Sequence, residues 1–286
     1  MKSIRMIRFD IRNFLLKNKK RFFFPVIFSV LSYLILCSII SDFQKADAAA
    51  FGNWNQENVK VTFLDWWYYL FAGLGKKGMG EKFEVPACWL AVNLFQLFMV
   101  SGYLSASMKG MGKLVIIKCN SERKWWLTKG VLNMLSLTAY YLLLTVPVLI
   151  ITGIRGCLSG GLTPYVTEKL SLPALIDDGF GSIVQMILLP VLAGFALLFL
   201  MELLELYLGA SLSFLLMTVF MIISAYLSAG GLNGIFIMLR RTLLFEAGGV
   251  SWLQASGTAA AVIILSQILG CRKCRKMDIG LEGEKR

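Results

Sequence analysis

Residues 181–229 read GSIVQMILLPVLAGFALLFLMELLELYLGASLSFLLMTVFMIISAYLSA, and the only charges in the stretch are Glu202 and Glu205. A helix that crosses a bilayer needs about 20 mainly apolar residues. The run is about twice that, and its middle is marked by the two glutamates and Gly209. It therefore reads as two spans, 181–201 and 211–229, joined by a tight turn.

Four more runs of this kind lie outward from it. Residues 22–41 follow Lys19-Lys20-Arg21 and stop at Asp42, and residues 87–107 lie between Pro86 and Lys109. Residues 131–152 contain Pro147, which neighbouring helices can accommodate with a kink. Residues 252–270 are closed by Cys271-Arg272-Lys273-Cys274-Arg275-Lys276. The fold expected is an all-α polytopic membrane protein, one transmembrane domain of six helices, with a basic tail at 271–286. Composition agrees: the 286 residues are 57% hydrophobic and 16% charged, with a mean hydropathy of +0.69. A soluble domain carries roughly 25% charge. No repeat of 20–50 residues and no low-complexity linker divides the chain. The first run is read as a retained span, because its apolar length exceeds that of a cleaved leader.

With six spans both termini share a side. That side holds twenty lysines and arginines and the other nine. The positive-inside rule then puts both termini in the cytoplasm of a cell-membrane protein. The net charge of +12 is thus topological, and no separate basic domain exists to bind nucleic acid.

Several chemistries are excluded. The chain has no histidine, which removes histidine-based nucleophile pairs, metal sites and proton relays. No Gly-x-x-x-x-Gly-Lys-Ser/Thr loop occurs, so ATP is not bound by that route. Cys271 and Cys274 would be half of a zinc site with no second half, and no metal is expected. Glu202 and Glu205 share a helical face and are read as turn residues at the inner headgroups, with a proton-coupled pair as the alternative. Gln185, Gln254 and Gln267 are expected to bond between helices.

Four segments outside the spans carry pattern. Residues 1–21 place Ile4, Ile7, Ile11, Phe14 and Leu15 on one stripe with Arg5, Arg8 and Arg12 beside it, as in an amphipathic helix lying in the interface. An untidy basic start to the first span is the alternative. Residues 65–71, Asp-Trp-Trp-Tyr-Tyr-Leu-Phe, read as an outer interfacial helix or, alternatively, as packing in an external lobe. Residues 230–250, with Phe236, Met238 and Leu243 among many large apolar side chains, are too apolar for a free loop and too short for two spans. An outer re-entrant helical hairpin fits, with Arg240 and Arg241 at headgroup depth. Between the second and third spans, Asn120 or Ser121 can cap a short helix through Glu122, Arg123, Lys124, Trp125 and Trp126. Adjacent tryptophans favour the membrane surface, and on composition alone this segment is a basic loop with an aromatic anchor.

Together, Ser121 to Lys129, Val85 to Leu90, Ser213-Phe214 through Tyr226, and Met238-Leu239-Arg240-Arg241 with Gly248-Gly249-Val250 resemble the six-span permease subunits of type-two ATP-binding-cassette (ABC) exporters. These belong to the short Gram-positive kind used in peptide-antibiotic export and immunity. The resemblance implies a transporter subunit rather than an enzyme. Its ATP and magnesium would be bound by a separate ATPase subunit, with a second permease copy or sister permease beside it. Residues 121–126 would then be the coupling helix, and Phe236, Met238, Arg240, Arg241 and Leu243 would lie in the outer hairpin. The aromatic segment 42–86 departs from that family. A stand-alone secondary transporter or channel is the alternative function; it would show inverted repeats.

The charge count generates one expectation. Reporter fusions after residue 120 should read cytoplasmic and fusions after residue 240 external; the reverse pattern refutes the orientation.

Overall fold

A computed structural model of the chain describes residues 11–14, 19–51, 59–75, 85–108, 122–158, 160–176, 179–226 and 238–275. The described residues form helices α1 (Phe23–Phe51), α2 (Phe63–Phe71), α3 (Ala87–Val100), α4 (Tyr103–Ser107), α5 (Glu122–Ile154), α6 (Pro164–Lys169), α7 (Phe180–Leu208), α8 (Ala210–Tyr226) and α9 (Trp252–Arg275). No strand occurs among them, and one isolated bridge joins Thr242 to Val250. Among the described residues five helical stretches are long and apolar enough to cross a membrane: Lys19–Ala50, Ala87–Ser107, Glu122–Ile154, Phe180–Leu208 and Trp252–Arg275. The expected fifth span is present as α8, but its described part has 17 residues, about 26 Å at 1.5 Å per residue. Residues 227–229, which the sequence reading adds to it, lie outside the described residues.

Helix α7 is the hub. It packs on α9 most extensively, and also on α3, α4, α5, α8 and α2. Two residues shape it. Pro190 has no N–H, so the carbonyl of Met186 loses its intrahelical donor. Trp67 of α2 replaces it, its indole Nε1 donating to Met186 O at 3.2 Å. Gly194, one turn further on, admits the Tyr141 hydroxyl of α5. That hydroxyl lies 3.0 Å from Pro190 O and 3.1 Å from Gln96 Oε1 of α3. A Cβ on Gly194 would stand 2.5 Å from this oxygen.

Helix α2 corrects the interfacial reading of residues 65–71. Trp66, Trp67, Tyr68, Leu70 and Phe71 are all buried, so the aromatics fill the end of the bundle rather than the lipid boundary. A capping box is the local cause: Thr62 Oγ1 accepts from Asp65 N, and Asp65 accepts from Thr62 N. The same carboxylate accepts from Thr163 N and Oγ1 at 2.8 and 2.7 Å, tying α2 to the start of α6. Trp66 Nε1 donates to Ser32 of α1, and Tyr68 stacks on Phe245 with ring centroids 4.3 Å apart.

The segment 238–250 departs from the expected helical hairpin. Its described residues form a 3-10 turn, Leu239–Arg241, and a loop folded onto α2, while residues 227–237 lie outside the described set. Arg241 explains the shape. Expected at headgroup depth, it is 1% exposed, and it donates to the carbonyls of Leu74, Gly75, Ser224 and Ala225. Those last two carbonyls belong to the final described turn of α8. Met238 packs against Gly73, whose φ of +66° and lack of a Cβ allow the approach. Arg240 reaches Ser171 O, and Leu243 is exposed.

At the other end, residues 1–10 and 15–18 of the expected amphipathic helix lie outside the described residues. Residues 11–14 are helical, but Phe14 packs edge-on against Phe22 and Tyr103 and is 2% exposed. Its side chain is buried in protein, not in lipid.

Arg241→Met should leave four carbonyls without their donor, at about 1–3 kcal/mol for each one that water cannot reach. Arg241→Lys should not restore stability, since an ammonium lacks the planar fork of donors. The thermal midpoint of the detergent-solubilised protein measures both. A midpoint unchanged in Arg241→Met would show that the clamp carries no stability.

Candidate functional site

The predicted site residues fall at opposite ends of the bundle. Met238, Arg240, Arg241 and Leu243 lie near α2, with Phe236 outside the described residues. Glu122 to Trp126 lie at the far end of α5, and Ser121 is outside the described residues. The two groups are separate sites.

The second group is built differently from the expectation. A short helix followed by a separate span at 131–152 is replaced by one helix, α5, of 33 residues. Nothing between Glu122 and Lys129 breaks a helix. Gly130, the first weak point, is held by packing, since a Cβ there would meet Gln267 and Phe199 at 3.1–3.2 Å. The first two turns are two-sided. Arg123, Lys124 and Leu127 are exposed and Glu122 is half-buried, whereas Trp125, Trp126, Thr128 and Lys129 are buried.

The tryptophans are therefore not surface anchors. Trp125 and Trp126 are 1% and 0% exposed and cluster with Leu104, Leu206 and Cys274. Trp126 lies so close to Gly270 of α9 that a Cβ there would be 2.1 Å from its ring. Cys274, half of the discounted zinc motif, is a packing residue against them. Among the described residues no group of three or more Cys, Asp and Glu is placed to hold a metal ion.

Behind the tryptophans lies a buried polar cluster that the sequence reading placed in the headgroups. Glu205, 5% exposed, accepts from Ser105 N at 2.9 Å, Ser105 Oγ at 2.8 Å and Gly102 N at 3.4 Å. Gly102 makes the turn between α3 and α4 with φ +80°. Glu202, one turn earlier, faces Lys129 and Asn133 across a cavity of about 10 Å³, room for about one water molecule. Its Oε2 has no hydrogen-bond partner among the described residues. Lys129 lies 4.8 Å from the Tyr103 ring centroid and 5.5 Å from that of Trp125. Arg21 adds a further tie, donating from Nη1 to Phe98 O and Ser101 O at 2.9 and 3.1 Å.

The residues that sequence reasoning missed here are Lys129, Glu205 as a bonded group, and Gly270. The three-residue spacing of the glutamates was visible, but their partners Ser105 and Lys129 come from other helices. Gly270 carries no local signal. Of the glutamines expected to bond between helices, Gln254 instead accepts from Ser251 N in a local cap.

Through Trp125 and Trp126 the buried face of the first turns of α5 packs on Leu104 of α4, Leu206 of α7 and Cys274 of α9.

The family model described as a protein of unknown function, DUF2705, matches residues 35–280, and the chain belongs to that family. No curated protein and no solved structure matches it.

Gly270→Ala should destabilise the protein by about 1–3 kcal/mol by overpacking against Trp126. Trp126→Leu in the same chain should recover part of that loss. A double-mutant cycle of thermal midpoints with no coupling between 126 and 270 would refute the contact.

Proposed function

We propose that this DUF2705 chain is the membrane-spanning subunit of an ABC transporter, driven by a separate ATPase subunit and exporting a peptide, antibiotic or lipid-like substrate. In this reading it sits in the cell membrane with both termini cytoplasmic and crosses six times, α8 and the residues after it making the fifth crossing. The connection at 230–250 re-enters from outside. A second permease copy or a sister permease completes the pathway, because one unit of this size has little room for both a path and its walls.

One observation carries the proposal: Arg123 and Lys124 are exposed in the first turn of a helix whose buried face is locked into the bundle by Trp125, Trp126 and Lys129. A chain without a phosphate loop must receive its energy from a partner. A rigid helix with exposed charge at its tip can receive a push at one end and deliver it to the spans. The exposed charges supply the docking chemistry, and the tryptophans fix the lever to the fulcrum. This differs from a separate coupling helix in the interface: here lever and span are one element.

A second reading, a stand-alone carrier, is favoured by the buried Glu202, Glu205 and Lys129, since ionisable groups inside a bundle mark ion pathways in many carriers. Transport by proteoliposomes that contain the chain alone, with an imposed proton gradient and no ATPase, would select it over the first.

Truncating a desolvated charged contact typically costs about 2–5 kcal/mol. Arg123→Glu should therefore abolish co-purification with the ATPase, or uncouple hydrolysis from transport. Insertion should stay normal, because five other basic residues remain between 108 and 130. Wild-type association and transport in Arg123→Glu/Lys124→Glu would refute docking at this tip.

A further inference from the structure

A cavity beside the start of α2 lies outside everything above. It has a volume of about 380 Å³ and is lined by Tyr33, Cys37, Gln44, Lys60, Arg155 and Cys157, with the buried Ile40 and Val61 beneath them. That volume is within the range of small-molecule sites. Three walls make it. Tyr33, Cys37, Ile40, Ser41 and Gln44 recur along one face of α1. The second wall, Val59-Lys60-Val61, is pinned to that face, since Tyr33 Oη donates to Val61 O at 3.2 Å and Gln44 Nε2 to Val59 O at 3.3 Å. The third is the end of α5. There Cys157 N donates to Thr152 O and Gly156 N to Gly153 O, with Gly156 at φ +65°. This is a Schellman motif, so Arg155 stands at a rigid helix terminus rather than on a free loop.

Among the described residues the charge lining this cavity is one-sided: Lys60 and Arg155, both positive, are its only charged members. Lys60 Nζ donates to Arg155 O at 3.4 Å, and Arg155 Nη1 points at Cys37 Sγ, 3.9 Å away. Neither makes an ion pair among the described residues. The nearby acids of α1 are engaged elsewhere, Asp42 by Lys45 and Asp47 by Lys169 and Tyr165. Two cations converging at the mouth of a partly apolar cavity focus positive potential on it. The guanidinium fork suits a phosphate. Below the mouth the floor is apolar, and the outward face of α1 next to it exposes Leu31, Leu34 and Ile35.

We infer that this cavity binds the phosphate head of an amphiphile, between Arg155 and Lys60, with the apolar part against Tyr33, Ile40 and Val61. Two sources share that chemistry, an anionic phospholipid of the bilayer and a free amphiphilic phosphate. The inference does not depend on an ATPase partner or on which leaflet the cavity faces.

Cys37 and Cys157 line the cavity and serve as built-in reporters. The purified full chain is treated with an anionic and a cationic methanethiosulfonate of similar size, and modification at each cysteine is read by peptide mass spectrometry. The ratio of the two rates at Cys37 cancels the intrinsic reactivity of the thiol. It should favour the anionic reagent and fall about tenfold or more in Arg155→Gln/Lys60→Gln, and both replaced residues are exposed, so the variant should fold, as gel filtration would verify. Protection is then measured with nanodiscs of phosphatidylglycerol against phosphatidylcholine alone, and with soluble dihexanoyl phosphatidic acid below its micellar concentration. Protection by phosphatidylglycerol alone identifies the bilayer lipid. Protection by the soluble phosphate identifies a free ligand. Protection by neither, or protection that survives in the double variant, overturns the inference.

Discussion

One hydrogen bond organises the bundle: the Trp67 indole donating to the Met186 carbonyl that Pro190 leaves without an intrahelical partner. In hydrocarbon such a carbonyl costs several kcal/mol if unpaired. The donor must come from outside α7, and the whole of α2 is the device that brings it. Helix α2 is nine residues long, too short to be stable alone in water. Its capping box and the Asp65 tie to Thr163 hold it in place. The aromatics around Trp67 then pack against Tyr141, whose own hydroxyl meets Pro190 O through the gap at Gly194. Without the proline, Met186 O would regain an intrahelical donor, and α2 would be held by its remaining ties to Ser32, Thr163 and Phe245.

The same logic governs the helix ends. Arg21 donates to carbonyls at the end of α3, and Arg241 to carbonyls at the end of α8. Both are charges that a sequence reading assigns to topology or to headgroup contact. Here they donate to backbone acceptors, buried for Arg241 with Ser224 and Ala225 and partly exposed for Arg21. Glu205 is their counterpart of opposite sign, accepting from the backbone N–H groups of Gly102 and Ser105. Terminal backbone groups, rather than opposite charges, are the partners these three residues find.

This explains what was legible. The apolar runs that became α1, α3, α7 and α9 announce themselves, because length and hydropathy are local properties. The turn at Gly209 was equally plain. Burial of Trp125 and Trp126 was not, because it depends on Gly270, which lies 144 positions from Trp126 and looks like any other glycine in an apolar helix. The aromatic run at 65–71 fits an interface as well as a core, and only its fit against α7 decides between them. The break expected between the basic segment and the third span failed for a related reason: Gly130 is weak in isolation and strong when Gln267 and Phe199 fill the space beside it. At the candidate site the exposed charges were readable. The cluster behind them, assembled from three helices, was not.

Gly209 is the single residue between α7 and α8, with φ +81° and open space where a Cβ would stand. Residues 202–210 contain no lysine or arginine. In the proposed six-span arrangement α8 would thus emerge with no charge on its α7 side to orient it and no slack to reorient. Its direction would be inherited from α7, and the pair would enter the bilayer as one unit. An insertion of a few basic residues at 209 would give α8 independent topogenic information, at odds with nothing in the folded packing but with the order in which that packing is made.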